Sequence, residues 1–301
     1  MGRLTAIVLG AAAGGGFPQW NCRCPVCRLA WNGDPRVKPR TQASLAVSTD
    51  GRSWVLLNAS PDLRAQIQAV PALHPRQAPR GSPIAGVILT GAEVDQVGGL
   101  LALRERSELS LYGTDETLAA VADNPIFGVL AADIVHRHAV PLSQRFTLPN
   151  GLDAEVFSVP GKLALYLESG KPEPAAETGV NVGIEISAGG ATLAYVPGAA
   201  AITSRLLQRL GRADVVLFDA TLFHDDEMIV TGTGTKTGRR MGHLPLGGAD
   251  GTLHQLGGLA ARRILTHINN TNPILVDGSH ERRQAEAAGF EIAEDGMEIV
   301  L

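Results

Sequence analysis

The sequence predicts a layered α/β fold, because short runs rich in β-branched residues alternate with longer segments that have helical spacing. The alternation is clearest in the second half of the chain. Several predicted strands also end on a polar or acidic residue where the chain turns, namely Asn58, Thr90, Asp219 and His267. Functional side chains collect at strand ends in layered α/β folds, so we expect a site there.

The individual elements are assigned by length and periodicity. The predicted strands lie at 5–9, 53–57, 84–90, 154–159, 182–186, 192–196, 215–219, 263–266 and 297–301. The predicted helices lie at 61–70, 114–123, 202–210, 253–261 and 280–288. No composition shift or linker separates these elements, so we expect a single domain over residues 1–301.

Composition and charge exclude several classes of function. The 301 residues carry a formal net charge of -4 with a pI near 6.1, so the chain offers no basic field for nucleic acid or an anionic membrane. No stretch approaches the roughly 20 apolar residues of a membrane-spanning helix. The first ten residues predict a β-strand rather than a signal peptide, and we therefore expect a cytoplasmic protein.

All three cysteines of the chain lie within six residues, at Cys22, Cys24 and Cys27. Thiolates with the spacing C-x-C-x-x-C converge on one soft cation, and a fourth ligand from elsewhere in the chain would complete a tetrahedral zinc site on this knuckle at 20–28. The alternative is three buried, reduced thiols. A disulfide is disfavoured because one cysteine would be left over and nothing indicates a secreted protein.

A glycine-rich turn, GAAAGGG at 10–16, follows the first predicted strand. It lacks the spacing G-x-G-x-x-G, and no helical pattern follows it, so a dinucleotide site is disfavoured. We expect instead that this turn lets the backbone pass close to a metal site or ligand.

The segment ILTGAEVDQVGGL, at 88–100, resembles the T-H-x-H-x-D-H-x-x-G-L signature of the metallo-β-lactamase superfamily. Gly91, Glu93 and Gln96 stand where that superfamily places histidines, and Asp95 is retained. Oxygen ligands such as Glu93 and Asp95 suit iron, manganese or magnesium better than zinc. The alternative is an acidic loop that caps the following helix.

Two further strand ends resemble the same superfamily: LFDATL, which contains Asp219, and ILTHI, which contains His267. His243 lies at a glycine turn between them, where it would be a ligand, an acid or a base.

Four segments together resemble the PqqB family of pyrroloquinoline quinone (PQQ) biosynthesis: GGGFPQWNCRC, LNASPD, GTKTGRRMGH and HINNTNP. The resemblance implies an αββα sandwich, with two central mixed sheets flanked by helices, and a structural zinc. It also implies a part in converting the glutamate and tyrosine of a precursor peptide into the quinone. The family has been described both as a non-haem iron-dependent tyrosine hydroxylase and as a factor that carries the product.

The resemblance suggests two metal sites and a substrate site. His267 is expected to complete the zinc site with the three cysteines, although it would also fit the active metal; Asn270 is a poorer zinc ligand. Fe(II) or another divalent ion is expected at the predicted catalytic residues Glu93, Asp95, Asp219 and His243. The cations Lys236, Arg239 and Arg240 are expected to receive substrate carboxylates, the alternative being a solvated charged face.

Three functions of different class follow. The first is O2-dependent hydroxylation of the tyrosine of a peptide-derived Glu-Tyr. The second is a non-catalytic carrier of PQQ or its precursor, which the departures at Gly91 and Gln96 favour. The third, a metal-dependent hydrolase, is disfavoured by the missing histidines. A homodimer and contacts with other proteins of the PQQ pathway are also expected.

Overall fold

The computed structural model describes residues 3–76, 79–168 and 178–301. Fourteen strands lie in this part of the chain. They are β1 Thr5–Gly10, β2 Ser44–Ser48, β3 Trp54–Leu57, β4 Ile84–Ile88, β5 Leu109–Gly113, β6 Val135–Ala139, β7 Arg145–Thr147, β8 Asp153–Ser158, β9 Val182–Ala188, β10 Ala191–Val196, β11 Val215–Asp219, β12 Arg262–Thr266, β13 Phe290–Ile292 and β14 Glu298–Val300.

The α-helices of the described residues are short. They are α1 Pro25–Trp31, α2 Leu63–Ala69, α3 Val94–Val97, α4 Asp115–Ala122, α5 Ser204–Leu210, α6 Glu227–Val230, α7 Gly238–Met241, α8 Thr252–Leu256 and α9 His280–Ala287. Short 3₁₀ helices lie at Pro71–Leu73, Gly98–Leu103, Pro125–Val129, Leu165–Leu167 and Pro273–Leu275. None of the helices in the described ranges has the length and apolar character needed to cross a membrane.

The strands form two seven-stranded mixed sheets of matching design. The first has the order β14-β1-β2-β3-β4-β5-β6, and the second has the order β13-β12-β11-β10-β9-β8-β7. In each sheet, three antiparallel pairings at one end are followed by three parallel pairings at the other. The parallel pairings bring the carboxyl ends of several strands to one edge of each sheet.

Three apolar layers hold the sheets and helices together. The period of two along a strand sends successive side chains to opposite faces: Val8 packs between the sheets, whereas Ile7 faces the helices outside the first sheet. Leu217 likewise faces the inter-sheet core, and Phe218 faces the layer that contains α1, α5, α8 and α9. The chain is therefore an αββα sandwich, as predicted.

All predicted strands and helices are present, although the predicted helix at 253–261 ends at Leu256. The other errors are omissions, which include β5 and the short helices α3, α6 and α7. No alternation of exposed and buried positions indicates β2, because all five of its residues are buried. The edge strand β6 was missed because its core is the exposed run His136, Arg137 and His138. Strands β7 and β13 have only three residues each. Helix α1 begins inside the cysteine cluster, with Pro25 in its first turn, and no periodic pattern indicated it.

Candidate active site and thiol site

The three cysteines converge on one buried point. Their sulfur atoms lie within 4.8 Å of one another, and all three residues are buried. Cys24 caps the N-terminus of α1, where its Sγ accepts a hydrogen bond from the Cys27 N–H, and the Cys22 Sγ accepts one from the Cys24 N–H. The hydrogen bond between the Cys24 and Cys27 side chains, together with burial, raises the pKa of Cys24. The same bond lowers the pKa of Cys27.

Asn270, and not His267, lies against these sulfurs. The Asn270 Nδ2 is 3.1 Å from the Cys22 Sγ and 3.3 Å from the Cys27 Sγ. Its backbone oxygen is 3.6 Å from the Cys24 Sγ. The prediction that His267 completes the zinc site is therefore wrong, because both nitrogens of its ring are engaged elsewhere.

His267 belongs to a second cluster, at the other side of the loop that follows β12. Its Nε2 is 2.9 Å from Asp95 Oδ2, and its Nδ1 is 2.8 Å from Thr221 Oγ1. His267 has a left-handed backbone, with φ at 56°. Such a conformation is costly for a side-chain-bearing residue and is concentrated at functional sites.

Asp219 lies beneath the imidazoles, at the carboxyl end of β11. Its side chain is 1% exposed, and each carboxylate oxygen accepts two hydrogen bonds. Oδ1 accepts from the Thr221 N–H at 3.0 Å and the Thr221 hydroxyl at 2.7 Å. Oδ2 accepts from the Ala199 N–H at 3.1 Å and from His243 Nδ1 at 2.7 Å. The four acceptor positions of this carboxylate are thus in use.

The two imidazoles lie beside each other. The ring centroids of His243 and His267 are 5.4 Å apart, with 21° between the planes. Ligand atoms of Asp219, His243 and His267 lie within 4.8 Å of one another. The predicted site residues Asp95, Asp219 and His243 are therefore together, and His267 joins them.

Opposite charges stabilise one another in this cluster. Burial disfavours the charged form of His267, but its contacts with Asp219 and Asp95 outweigh burial and raise its pKa to about 10. Burial likewise opposes ionisation of Asp219 and Asp95. Interactions with His243 and His267 outweigh burial at Asp219 and lower the pKa of its carboxyl. At Asp95 the interaction with His267 has the larger part in the same effect. Without a metal, the cluster is a buried network of ion pairs.

A cavity of about 370 Å³ opens above this cluster. Asp95, Thr221, His243 and His267 form part of its wall, and Asp219 does not. The full wall consists of Ala13, Gly14, Glu93, Asp95, Gln96, Gly161, Lys162, Leu165, Asn181, Pro197, Gly198, Thr221, Met228, Lys236, Met241, Gly242, His243, His267 and Asn269. The glycine-rich turn passes close to the site, as expected. A Cβ built on Gly14 would be 3.6 Å from Asp95 Oδ2, in ordinary contact.

Glu93 does not join the imidazole cluster. Its carboxylate is 3.2 Å from Lys162 Nζ and accepts the Leu165 N–H at 3.2 Å. Glu93 also forms a capping box with Gln96, whose Oε1 accepts the Glu93 N–H at 3.0 Å. A Cβ on Gly91 would lie 2.6 Å from that Oε1. The prediction that Glu93 binds the active-site metal is therefore wrong. The segment is instead an acidic loop that caps α3, which was the alternative prediction.

The three predicted substrate-binding cations separate in the structure. Lys236 lines the cavity, and its ammonium group forms no ion pair or hydrogen bond with any of the described residues. Arg239 is exposed and pairs with Asp250 at 2.5 Å, so it is not directed into the cavity. Arg240 is exposed as well. Lys162 first, and Lys236 and Arg240 more weakly, lower the pKa of Glu168, because all three cations lie near that carboxylate.

Sequence reasoning missed Thr221 and Lys162. Thr221 lies two residues after the strand-end Asp219, a position that could have drawn attention to it. Lys162 follows Pro160 and Gly161 in a loop, and no spacing in the sequence indicated that its ammonium group reaches Glu93 across the cavity.

Comparison with known proteins places this geometry in a family. A family model described as a β-lactamase superfamily domain matches residues 53–268. The coenzyme PQQ synthesis protein B of Methylobacterium nodulans is 54% identical over 299 residues, which covers 99% of this chain and 100% of that protein. The protein of the same name from Rhizobium meliloti is 52% identical and covers 99% and 98%. The chain belongs to the PqqB family.

Solved structures agree with this assignment. The crystal structure of Zn(2+)-bound PqqB from Methylobacterium extorquens is 52% identical, with a TM-score of 0.97 over 99% of this chain and 100% of that one. A diphosphatase of the PhnP family is 21% identical, with a TM-score of 0.69 over 99% and 97%, and shares the fold. Membership of the PqqB family and the metallo-β-lactamase-like fold, both predicted from the sequence, are confirmed.

Proposed function

We propose that the chain is a metal-dependent enzyme of coenzyme PQQ synthesis that hydroxylates, with dioxygen, the tyrosine of a Glu-Tyr derived from a precursor peptide. One observation carries the proposal: two imidazoles and a carboxylate meet at the floor of an open cavity, where His267 Nε2 lies 2.9 Å from Asp95 Oδ2. The names of the relatives, all PQQ synthesis proteins, supply the pathway.

The donor set fits a divalent ion. Asp95, His243 and His267 offer two imidazoles and one carboxylate, the combination that non-haem Fe(II) oxygenases use, once an ion replaces the proton on Nε2 of His267. A separation of about 3 Å is also that of neighbouring ligands around one ion with bonds of roughly 2.1 Å. Asp219 would have to give up a hydrogen bond to coordinate, so we assign it to orienting His243.

A redox-active ion supplies the one-electron chemistry that dioxygen requires, which no amino-acid side chain provides. The chain's own residues bind and orient the substrate. Lys236 lines the cavity and has no ion-pair partner in the part of the chain that the structure describes, so its ammonium group would pair with a substrate carboxylate. His243, 20% exposed and hydrogen-bonded to Asp219 through Nδ1, would present Nε2 to the ion at the cavity floor, beside the bound substrate.

We also propose that the thiol site holds a structural zinc. Three buried sulfurs with a common centre fit a soft ion, and the solved relative is described as Zn(2+)-bound. Asn270 would then supply the fourth ligand through an oxygen atom, since its side chain and its backbone oxygen both lie against the sulfurs. A site closed in this way has no position for substrate.

Protein purified without dioxygen, loaded with Fe(II) and supplied with a Glu-Tyr substrate tests the proposed reaction. We expect oxygen uptake that Asp95→Ala and His243→Ala abolish. His254→Ala is the matched control, because His254 is exposed and lies outside the cavity wall. A rate that is independent of metal would disprove the hydroxylase, and zinc-dependent cleavage of a phosphodiester probe would identify a hydrolase.

A carrier is the second candidate, and one observation favours it. Gln96 and Glu93 are used by the helix cap, which leaves fewer donors than the superfamily signature provides. Binding of PQQ or its precursor by calorimetry without turnover would support this function. A cytoplasmic location, a homodimer, a single domain and contacts with other proteins of the pathway remain predictions.

A further inference from the structure

The hydroxyl group of Thr221 lies at the centre of the cavity-floor cluster. It is 2.7 Å from Asp219 Oδ1, 2.8 Å from His267 Nδ1 and 3.0 Å from His243 Nδ1. We propose that Thr221 is a positioning residue that holds both imidazoles with a proton on Nδ1, so that Nε2 of each ring is the metal-binding nitrogen. This inference rests on the metal site of the proposed function.

The hydrogen-bonding capacity of a hydroxyl fixes the direction of these bonds. A threonine has one proton to donate and two lone pairs that accept. An ionised carboxylate only accepts, so the Thr221 proton goes to Asp219 Oδ1, its shortest contact. The lone pairs then accept from nitrogen, and His267 Nδ1 is the nearer donor at 2.8 Å.

His243 is held by the same arrangement. Its Nδ1 donates to Asp219 Oδ2 at 2.7 Å and lies 3.0 Å from the Thr221 hydroxyl. Because Nδ1 of each ring is committed to Asp219 or Thr221, Nε2 is the nitrogen left to bind a metal. For His267 this atom already lies beside Asp95 Oδ2, at 2.9 Å.

The position of Thr221 explains why the hydroxyl is needed. The residue is 5% exposed, so water cannot readily replace a lost hydroxyl. Without it, the next side-chain acceptor for His267 Nδ1–H among the described residues would be Asp219 Oδ1, at 3.7 Å, which leaves this buried donor poorly satisfied. A partner that orients a metal-bound histidine typically contributes 10–100-fold to metal affinity.

The test compares Thr221→Val, which keeps the shape and removes the hydroxyl, with Thr221→Ser, which keeps the hydroxyl. Thr266→Val is the matched control, because the Thr266 hydroxyl is buried at the end of β12 and has no partner among the described residues. Calorimetric titration with Mn²⁺ of protein whose thiol site is already filled with Zn²⁺ measures the affinity of the cavity. We expect a 10–100-fold loss for Thr221→Val and less than about 3-fold for the other two variants.

Nitrogen NMR of the metal-free native protein is the second measurement. We expect His243 to carry its proton on Nδ1 and His267 to show an exchange-protected Nδ1–H, which Thr221→Val removes and Thr221→Ser retains. A purely structural role would lower the melting temperature without changing these signals.

Two results would overturn the inference. One is a Thr221→Val protein that binds Mn²⁺ as Thr266→Val does, and the other is a native His243 with its proton on Nε2. If the native cavity binds no Mn²⁺ or Fe(II), the proposed enzyme fails, and the NMR signals alone decide the role of Thr221. They also decide it if Thr221→Val does not fold.

Discussion

The thiol site and the cavity site lie on one loop and have opposite designs. His267 faces Asp95 at the cavity, and Asn270, three residues later, faces the sulfurs. The thiol site is closed, because its three cysteines are at most 9% exposed and Asn270 covers them. The cavity site opens to a volume of about 370 Å³. A metal site whose ligands all come from the protein stabilises the fold, whereas a catalytic metal site must keep a position open for substrate.

The loop between them couples the two sites mechanically. Ile268 pairs with Ala12 of the glycine-rich turn, through the Ala13 N–H and the Ile268 N–H. The turn that carries Gly14 into the cavity wall is therefore tied to the segment that carries His267 and Asn270. Loss of the closed site should loosen the open one, but the reverse effect should be small.

Cys27→Ser should have the largest effect on stability. Cys27 is fully buried in α1, and a structural zinc site contributes much of the folding free energy of the segments that it joins. We expect a loss of about 5 kcal/mol or more, a melting temperature lower by at least about 10 °C, and one zinc equivalent fewer by elemental analysis. Arg23→Ser, at an exposed position of the same cluster, should change neither. A Cys27→Ser protein of native stability would refute the closed site.

The metal-free cavity site should make stability depend on pH. The His267 pKa is raised from 6.5 to about 10, so its ion pairs stabilise the fold fully below about pH 6.5, and this contribution is lost as pH rises towards 10. Asp219 and Asp95 have lowered pKa values, so their contribution is lost as pH falls below about 4. Urea unfolding between pH 6.5 and 9.5 should show a decrease of roughly 2–4 kcal/mol.

His267→Gln is the comparison for this pH dependence, because it removes the titrating group and keeps a hydrogen-bonding side chain. Its unfolding free energy should be lower at pH 6.5 and nearly constant up to pH 9.5. An equal slope in both proteins would show that His267 is not the group responsible.

Asn270→Ala should weaken the closed site and leave the open one intact. Removing the amide deprives the sulfurs of a contact at 3.1–3.3 Å, and we expect a loss of about 1–2 kcal/mol and a roughly tenfold weaker zinc affinity. Competition with a chromogenic chelator measures that affinity. Asn269→Ala is the neighbouring control, since Asn269 contacts Thr271 and Met228 instead. Equal zinc affinities of the two variants would exclude the Asn270 side chain as a ligand.

The sequence predicted the architecture and both site regions, because each has a local signal. Buried strands are apolar runs, the cysteines share one short segment, and Asp95, Asp219 and His267 stand at or near strand ends. The sequence does not show which side chains contact each other when they are far apart along the chain. The sequence favours His267 over Asn270 as the fourth zinc ligand because an imidazole is the better donor, whereas the left-handed backbone of His267 directs its ring to Asp95, 172 residues away.

The same limit explains the other corrections. Glu93 had the position of a metal ligand in the signature, but its carboxylate meets Lys162, 69 residues away, and no local pattern encodes that pairing. Arg239 adjoins Arg240 in the sequence, yet its partner Asp250 draws it from the cavity. Local periodicity therefore predicts which residues gather at the site, and tertiary partners decide which of them face it.

Glu93→Gln should have the smallest effect, and it separates a metal ligand from a wall contact. Residues 161–168 form a strap along the cavity wall, held by Glu93 through Lys162 and the Leu165 N–H, and by the Tyr166 hydroxyl, which donates to the Ala92 carbonyl at 2.9 Å. A glutamine still accepts the Leu165 N–H but loses the charge that pairs with Lys162.

We therefore expect Glu93→Gln to keep its cavity metal, to lose less than about 1 kcal/mol of stability, and to raise the KM for substrate about 3–10-fold because one wall of the cavity is less firmly held. Glu105→Gln, which breaks an exposed pair with Arg80, is the control for loss of a surface charge. Metal content by elemental analysis decides between the two roles. Loss of the cavity ion in Glu93→Gln would restore Glu93 as a ligand, because a wall contact can be weakened without releasing the metal.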